Sequence, residues 1–283
     1  NAADKAKIFM ELGPVLGKNA VAVTNTSSIK PSLIVGNAGI EERFAGLHFF
    51  YPVKIKNIVE LVVTDQTSDY TKIILRNFTD SIKRFRLEMH EDEAFILNRL
   101  FLDFQAQAFR FHHDEGFEVK ILDAIVKKYI FPVGVFEFFD IVGIDVMRQS
   151  IINYTETMAG KDFYSPMIEC LDALIGLKKL GRKSGAGFYA YPIAVPAAAM
   201  PGADVQERIA SLLRDMYINS AFRALEKNIW SRSDLEFAVK EYMGIDKGPF
   251  TLAGEIGQDA IKEQLHRYYA DTGFDAYRPS KLL

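Results

Sequence analysis

Two stretches of this chain repeat each other, and a repeat constrains the fold of both at once. Ala108-Phe109-Arg110 recurs as Ala221-Phe222-Arg223, and Ile125-Val126-Lys127-Lys128-Tyr129 recurs as Ala238-Val239-Lys240-Glu241-Tyr242. Gly134-Val135-Phe136 then matches Gly248-Pro249-Phe250, and Gly143-Ile144-Asp145 is echoed by Gly257-Gln258-Asp259. Chance accounts for one such match; a series in one order at a nearly constant offset implies a duplicated unit. From Glu93 onward the periodicity is that of long helices, so the duplicated unit is all-α, with only the short Gly187-Phe188-Tyr189 segment reading as strand.

The chain ahead of Glu93 has a different rhythm. Lys5 to Leu16 places Ile8, Phe9, Leu12 and Leu16 on one helical face, and Gly17 follows as a stop. Ala20 to Thr24 reads as a short buried strand ending in the polar turn Asn25-Thr26-Ser27-Ser28. Phe44 to Phe50 and Ile58 to Val63 are two more apolar runs, separated by Tyr51-Pro52, and Tyr70 to Arg84 reads as an amphipathic helix. Short strands alternating with helices predict an α/β domain over 1–92, followed by helical copies over 93–195 and 196–283; the Ala194 to Ala203 stretch, rich in alanine and proline, is the expected linker.

Composition excludes several classes of function. The formal net charge of −3 leaves no global basic surface for nucleic acid. Cys170 is alone, so no internal disulfide forms and no Cys/His set suggests structural zinc; a reducing compartment follows. No apolar run reaches the roughly 18 to 20 residues of a membrane span. Ser280-Lys281-Leu282 is followed by Leu283, whereas a peroxisomal address is read only at the C-terminus.

Polar residues cluster at four places where strands end or helices begin: Asn25 to Ser28, His48 to Pro52, Val59-Glu60-Leu61, and Phe95-Ile96-Leu97-Asn98-Arg99. Carboxyl ends of strands are where open α/β sheets hold ligands. A histidine inside Gly46-Leu47-His48-Phe49-Phe50 is, alone, more often a satisfied core residue than a catalyst. A glutamate inside Ile58-Val59-Glu60-Leu61-Val62-Val63 is less ordinary, because a buried carboxylate needs a partner or a proton. His48 and Glu60 on adjoining strands would form a general base, with Ser27 and Asn98 holding a substrate oxygen against it. The residues themselves carry the reading as far as proton transfer at an oxygen. The bland alternatives are that Ser27 and Asn98 cap helices, and that the neighbouring His112 and His113 are surface residues rather than metal ligands.

Asn-Thr-Ser-Ser, then Gly-Leu-His-Phe-Phe-x-Pro, Val-Glu-Leu, Phe-Ile-Leu-Asn-Arg and Leu-Gly-Arg-Lys-Ser-Gly-x-Gly-Phe-Tyr, in this order, resemble the L-3-hydroxyacyl-CoA dehydrogenase family over nearly the whole chain. The resemblance implies part of a Rossmann-type dinucleotide-binding domain followed by helical domains, and NAD-dependent oxidation of L-3-hydroxyacyl-CoA to 3-ketoacyl-CoA in fatty-acid β-oxidation. It implies that His48 is the base, that Glu60 pairs with it, that Ser27 and Asn98 position the substrate, and that Asn25, Lys5 and Lys183 contact NAD. It further implies an acyl-CoA substrate, a monomer made by internal duplication or membership of a β-oxidation complex, and a cytoplasmic, peroxisomal or mitochondrial-matrix location, with no secretion. The competing reading is a catalytically silent acyl-CoA-binding or assembly module.

The sequence also departs from the family. No Gly-x-Gly-x-x-Gly occurs, so the chain is expected to start partway through the dinucleotide domain and to be a piece of a longer molecule. Tyr51 stands where asparagine is common, Ala94 replaces a glycine before Phe95, and Val135 replaces a proline.

Overall fold

A computed structural model describes residues 2–156, 160–192 and 199–283. The chain divides into two compact units, one made of residues 1–97 with 229–242 and the other of residues 98–228 with 243–283.

The first unit runs α1 (Ala2–Leu12), β1 (Ala22–Thr24), α2 (Pro31–Val35), β2 (Phe44–Phe49), β3 (Ile58–Val63), α3 (Asp69–Ser81) and β4 (Phe85–His90). Its sheet has the order β1-β2-β3-β4, with β1/β2 and β3/β4 parallel and β2/β3 antiparallel. Ala45, Leu47, Val59, Leu61 and Leu75 make one core cluster, and Ala22, Ile34, Val35, Ile40 and Phe44, joined by Phe9 of α1, make another. The α/β expectation holds, but β4 was not anticipated, and α3 stops at Ser81, where Lys83 turns back at φ +55°.

The second unit holds the remaining helices except the one over Arg232–Met243, which up to Tyr242 belongs to the first. α4 (Ile96–Leu100) begins in the first unit and leads into α5 (Leu102–His113), α6 (Val119–Tyr129), α7 (Val135–Val142), α8 (Ile144–Thr155) and α9 (Ser165–Gly176). α10 (Ala203–Leu225), α11 (Arg232–Met243), α12 (Pro249–Ile256) and α13 (Gln258–Thr272) follow. α10 is the central helix, packed against α5, α6, α12 and α13, with Met216, Tyr217, Ile218 and Phe222 fully buried.

Helices α6, α7 and α8 recur in order as α11, α12 and α13. Gly143 ends α7 and starts α8 at φ 110°, ψ 127°; Gly257 ends α12 and starts α13 at φ 95°, ψ 119°. These are backbone conformations that favour glycine. The observed grouping does not follow a division at 92 and 195: there are two units, the first reaches Leu97, no boundary falls near 195, and α11, up to Tyr242, groups with the sheet unit. Its contacts explain why, since Phe237 lies 4.7 Å from Phe85 and Glu241 Oε1 accepts the Asn57 N–H at 2.8 Å.

Of the expected linker, residues 194–198 lie outside the described residues; from Ala203 the chain is helical. The short segment expected at Gly187 to Tyr189 is not a strand. It lies between bridge residues, in a stretch where Gly181 bridges Ala186 and Ala186 bridges Ala190.

Candidate active site

β2 and β3 pair antiparallel in the register His48↔Glu60, so the two side chains stand directly opposite on one face. Their separation of twelve positions is therefore the length of one hairpin. Gly46, two residues before His48, is closely packed: a Cβ there would lie 3.0 Å from Val62 Cβ and 3.1 Å from Pro31 Cγ, so those side chains would have to give way.

His48 Nδ1 lies 2.7 Å from Glu60 Oε2, and Glu60 is completely buried. The other carboxylate oxygen, Oε1, accepts the Leu97 N–H at 3.2 Å. A carboxylate beside Nδ1 makes that nitrogen the donor and leaves Nε2 with a lone pair. Aromatic rings enclose the imidazole, Phe50 at 4.4 Å and Phe95 edge-on at 5.9 Å. Phe95 sits at φ +61°, unusual for a bulky residue, at the turn that carries Leu97 towards Glu60. The low-dielectric surroundings strengthen the pair, and the two hydrogen bonds satisfy a carboxylate that would otherwise be costly to bury.

The turn after β1 lies beside this pair. Asn25 Oδ1 accepts the Phe49 N–H at 2.8 Å, tying the exit of β1 to the residue next to His48, and its amide NH2 keeps two donors. Thr26 Oγ1 accepts from Ile29, and Ser27 is half-buried. The N-cap of α2 is Lys30 rather than Ser27. The loop after β2 is organised by Arg84, which donates to the carbonyls of Val53 and Lys56 and to Asn57 Oδ1. Tyr51, in that loop, is 84% exposed.

Other expected site residues stand elsewhere. Asn98 belongs to the second unit, inside α4, where its Nδ2 donates to the Tyr154 hydroxyl at 3.2 Å. Lys183 is in the same unit and pairs with Asp145 at 2.5 Å, while Lys5 is half-buried on α1. His112 Nδ1 donates to the Phe117 carbonyl and His113 pairs with Asp114; no metal-binding cluster occurs among the described residues.

The glycine-rich motif around residues 181–189 is explained by packing. Asp140 of α7 accepts the N–H groups of Phe188 and Tyr189 and the Tyr191 hydroxyl, each at 2.9 Å. Gly181, at φ 90°, lies so close that a Cβ would meet the Asp140 carbonyl oxygen at 2.4 Å.

A residue the sequence did not single out as functional stands near the pair. Tyr242 of α11 lies 4.9 Å from the Phe50 ring, and burial, then the negative charge of Glu60, push its phenol above the ordinary value. Its only advance signal was its place in the repeat, opposite Tyr129.

Comparison with known proteins follows the same division. Residues 1–92 match the family model for the 3-hydroxyacyl-CoA dehydrogenase NAD binding domain, and residues 95–191 and 209–283 match that for the 3-hydroxyacyl-CoA dehydrogenase C-terminal domain. The chain is 30% identical over 188 residues to mouse mitochondrial hydroxyacyl-coenzyme A dehydrogenase, covering 66% of this chain and 60% of that protein. It is 28% identical over 300 residues to the fatty acid oxidation complex subunit alpha of Shewanella sp., covering 99% of this chain and 42% of that protein. The chain thus spans less than two thirds of either relative. Among solved structures, 3-hydroxybutyryl-CoA dehydrogenase from Escherichia coli superimposes with a TM-score of 0.82 at 22% identity, over 100% of this chain and 78% of that one, a likeness of fold. (S)-3-hydroxybutyryl-CoA dehydrogenase from Ralstonia eutropha gives 0.59 at 26% identity, over 68% and 67%.

Proposed function

Because the chain belongs to the 3-hydroxyacyl-CoA dehydrogenase family, we propose that it carries the proton-transfer machinery for oxidising an L-3-hydroxyacyl-CoA to the 3-ketoacyl-CoA. The observation that carries this reading is the His48–Glu60 pair: 2.7 Å between Nδ1 and Oε2, with the carboxylate fully buried.

His48 Nε2 takes the proton of the substrate's 3-hydroxyl as the C3–H bond breaks and the carbonyl forms. Glu60 orients the ring through Nδ1 and stabilises the imidazolium so produced. Ser27 and Asn98 are assigned to the substrate oxygen on the resemblance alone. NAD supplies the acceptor for the hydride leaving C3. The donor set at the end of β1 fits its nicotinamide edge: Asn25 is exposed and its amide NH2 is not taken up by the bond to Phe49. Lys5 and Lys183 are assigned to the same cofactor on the resemblance alone.

The recurrence of α6 to α8 as α11 to α13, with matching glycine joints, supports a duplicated helical domain and a chain that acts as a monomer. No helix among the described residues is long and apolar enough to cross a membrane. A reducing compartment, cytoplasmic or matrix, suits the single cysteine.

The test is NADH formation by the purified protein with an L-3-hydroxyacyl-CoA, compared with His48→Ala. A loss of about a hundredfold to ten-thousandfold is expected. Turnover by His48→Ala equal to wild type would overturn the assignment. Acyl-CoA binding without turnover in the wild type would leave a silent binding module.

A further inference from the structure

We infer that Tyr242, contributed by the second helical stretch, is a positioning residue for the His48–Glu60 pair, its ring wedging Phe50 against the imidazole. The inference rests on the reading of that pair as the general base.

Three rings stand in sequence. His48 lies 4.4 Å from Phe50, and Phe50 lies 4.9 Å from Tyr242 at an interplanar angle of 59°. Phe50 is 3% exposed, and Tyr242 is one of the groups that enclose it. The imidazole is hydrogen-bonded at Nδ1 to Glu60, and its tilt about that bond is bounded by Phe50 and by the edge-on Phe95. An aromatic pair in such a geometry contributes about 0.5–1.5 kcal/mol beyond its buried area.

The helix bearing Tyr242 is fixed at several points. Glu241 accepts the Asn57 N–H through Oε1 at 2.8 Å, and its backbone carbonyl accepts from Lys56 Nζ at 2.9 Å. Phe237, one turn earlier, packs on Phe85 of β4. Tyr242 is therefore delivered to the pair by a helix clamped on the loop that follows β2 and on the far strand of the sheet. Its phenol, kept protonated by burial and by the Glu60 charge, places no second negative charge beside the carboxylate.

The repeat makes the role specific. Tyr129 occupies the matching place in the first helical stretch, where it is 37% exposed and donates to Gln206 Oε1 at 3.4 Å. The same residue type thus serves a contact with Gln206 in one stretch and, half-buried, packs on Phe50 in the other.

The experiment is the solvent-exchange rate of the His48 Nδ1 proton by NMR of the isotopically labelled protein, with neither substrate nor cofactor added. Tyr242→Ala is expected to raise that rate about two- to tenfold, the factor that one aromatic pair supports. Backbone amides of Leu47 and Leu61 should keep their wild-type rates. Tyr242→Phe, which keeps the ring, should restore the Nδ1 rate. Equal acceleration of the Nδ1 proton and those amides would show general loosening and overturn the inference, as would an unchanged Nδ1 rate in Tyr242→Ala. A Tyr242→Phe rate as high as that of Tyr242→Ala would overturn the ring's role. Because no turnover is read, a failure here is distinct from absent dehydrogenase activity in the wild type.

Discussion

Gly187 and Asp140 occupy the same corner of the helical unit: a Cβ added to Gly187 would lie 1.9 Å from Asp140 Oδ1. The carboxylate stands there because it accepts the next two backbone N–H groups and the Tyr191 hydroxyl. The obstruction is a carboxylate on a buried residue, and relieving it means breaking those bonds. Gly187→Ala is therefore expected to lose about 1–3 kcal/mol, read as a lower urea midpoint, whereas Gly176→Ala, with nothing within 4 Å of its Cβ, should be neutral or better. A Gly187→Ala midpoint equal to wild type would show that the loop rearranges freely.

How much of this was legible beforehand depends on the range of each interaction. His48 and Glu60 could be read because both lie inside apolar strands and a buried carboxylate demands a partner. Their direct register needed the hairpin. β4 carries a period-2 signal, Phe85, Leu87 and Met89 alternating with Arg86, Glu88 and His90, but the preceding helical pattern runs into it and conceals the break at Lys83. The glycine-rich motif was visible as a motif, but its reason was not, because Asp140 is far away in the chain. Tyr242 was illegible as a site residue because nothing local says that α11 packs on the sheet unit.

Replacing Glu60 by glutamine keeps its shape and removes its charge. Glutamine has one acceptor oxygen where Glu60 uses two, so the variant cannot accept both the Leu97 N–H and the His48 Nδ1–H, and it no longer stabilises an imidazolium. NADH formation should fall by about tenfold to a thousandfold in kcat with KM for the acyl-CoA little altered, the signature of an interaction made in the transition state. A rise confined to KM would place Glu60 in binding instead.

Asn25→Ala removes the acceptor for the Phe49 N–H and the amide donors assigned to the nicotinamide. A loss of about 1 kcal/mol in stability together with a several-fold rise in KM for NAD is expected. The same stability loss with KM for NAD unchanged would confine Asn25 to holding the strands together.

Asp215, buried in α10, has an Oδ1 without a hydrogen-bond partner, and Arg214 Nε stands 3.6 Å away. Burial pushes its carboxyl up to about 6, Arg214 offsetting only part of the effect. A carboxyl raised on folding binds its proton more tightly in the folded chain, so its contribution improves as pH falls from about 6 towards the ordinary carboxylate value and is lost as pH rises through that window. Asp215→Asn should thus be more stable than wild type at pH ~8 by about 1–3 kcal/mol, with the advantage fading by pH ~4. Denaturation midpoints at the two pH values decide the matter; an advantage independent of pH would mean that the gain is packing alone.

That α11 packs with the sheet unit has a consequence for how the protein is made. The unit bearing His48 and Glu60 is interrupted after Leu97 and resumes only at Ile229, so the whole of 98–228 must leave the ribosome before the last wall of the site exists. At roughly 5–20 residues per second, that interval is on the order of ten seconds, during which Phe50 and Phe85 lack their partners Tyr242 and Phe237. For that time a nascent chain presents an unfinished aromatic surface beside His48, the kind of surface that chaperones recognise.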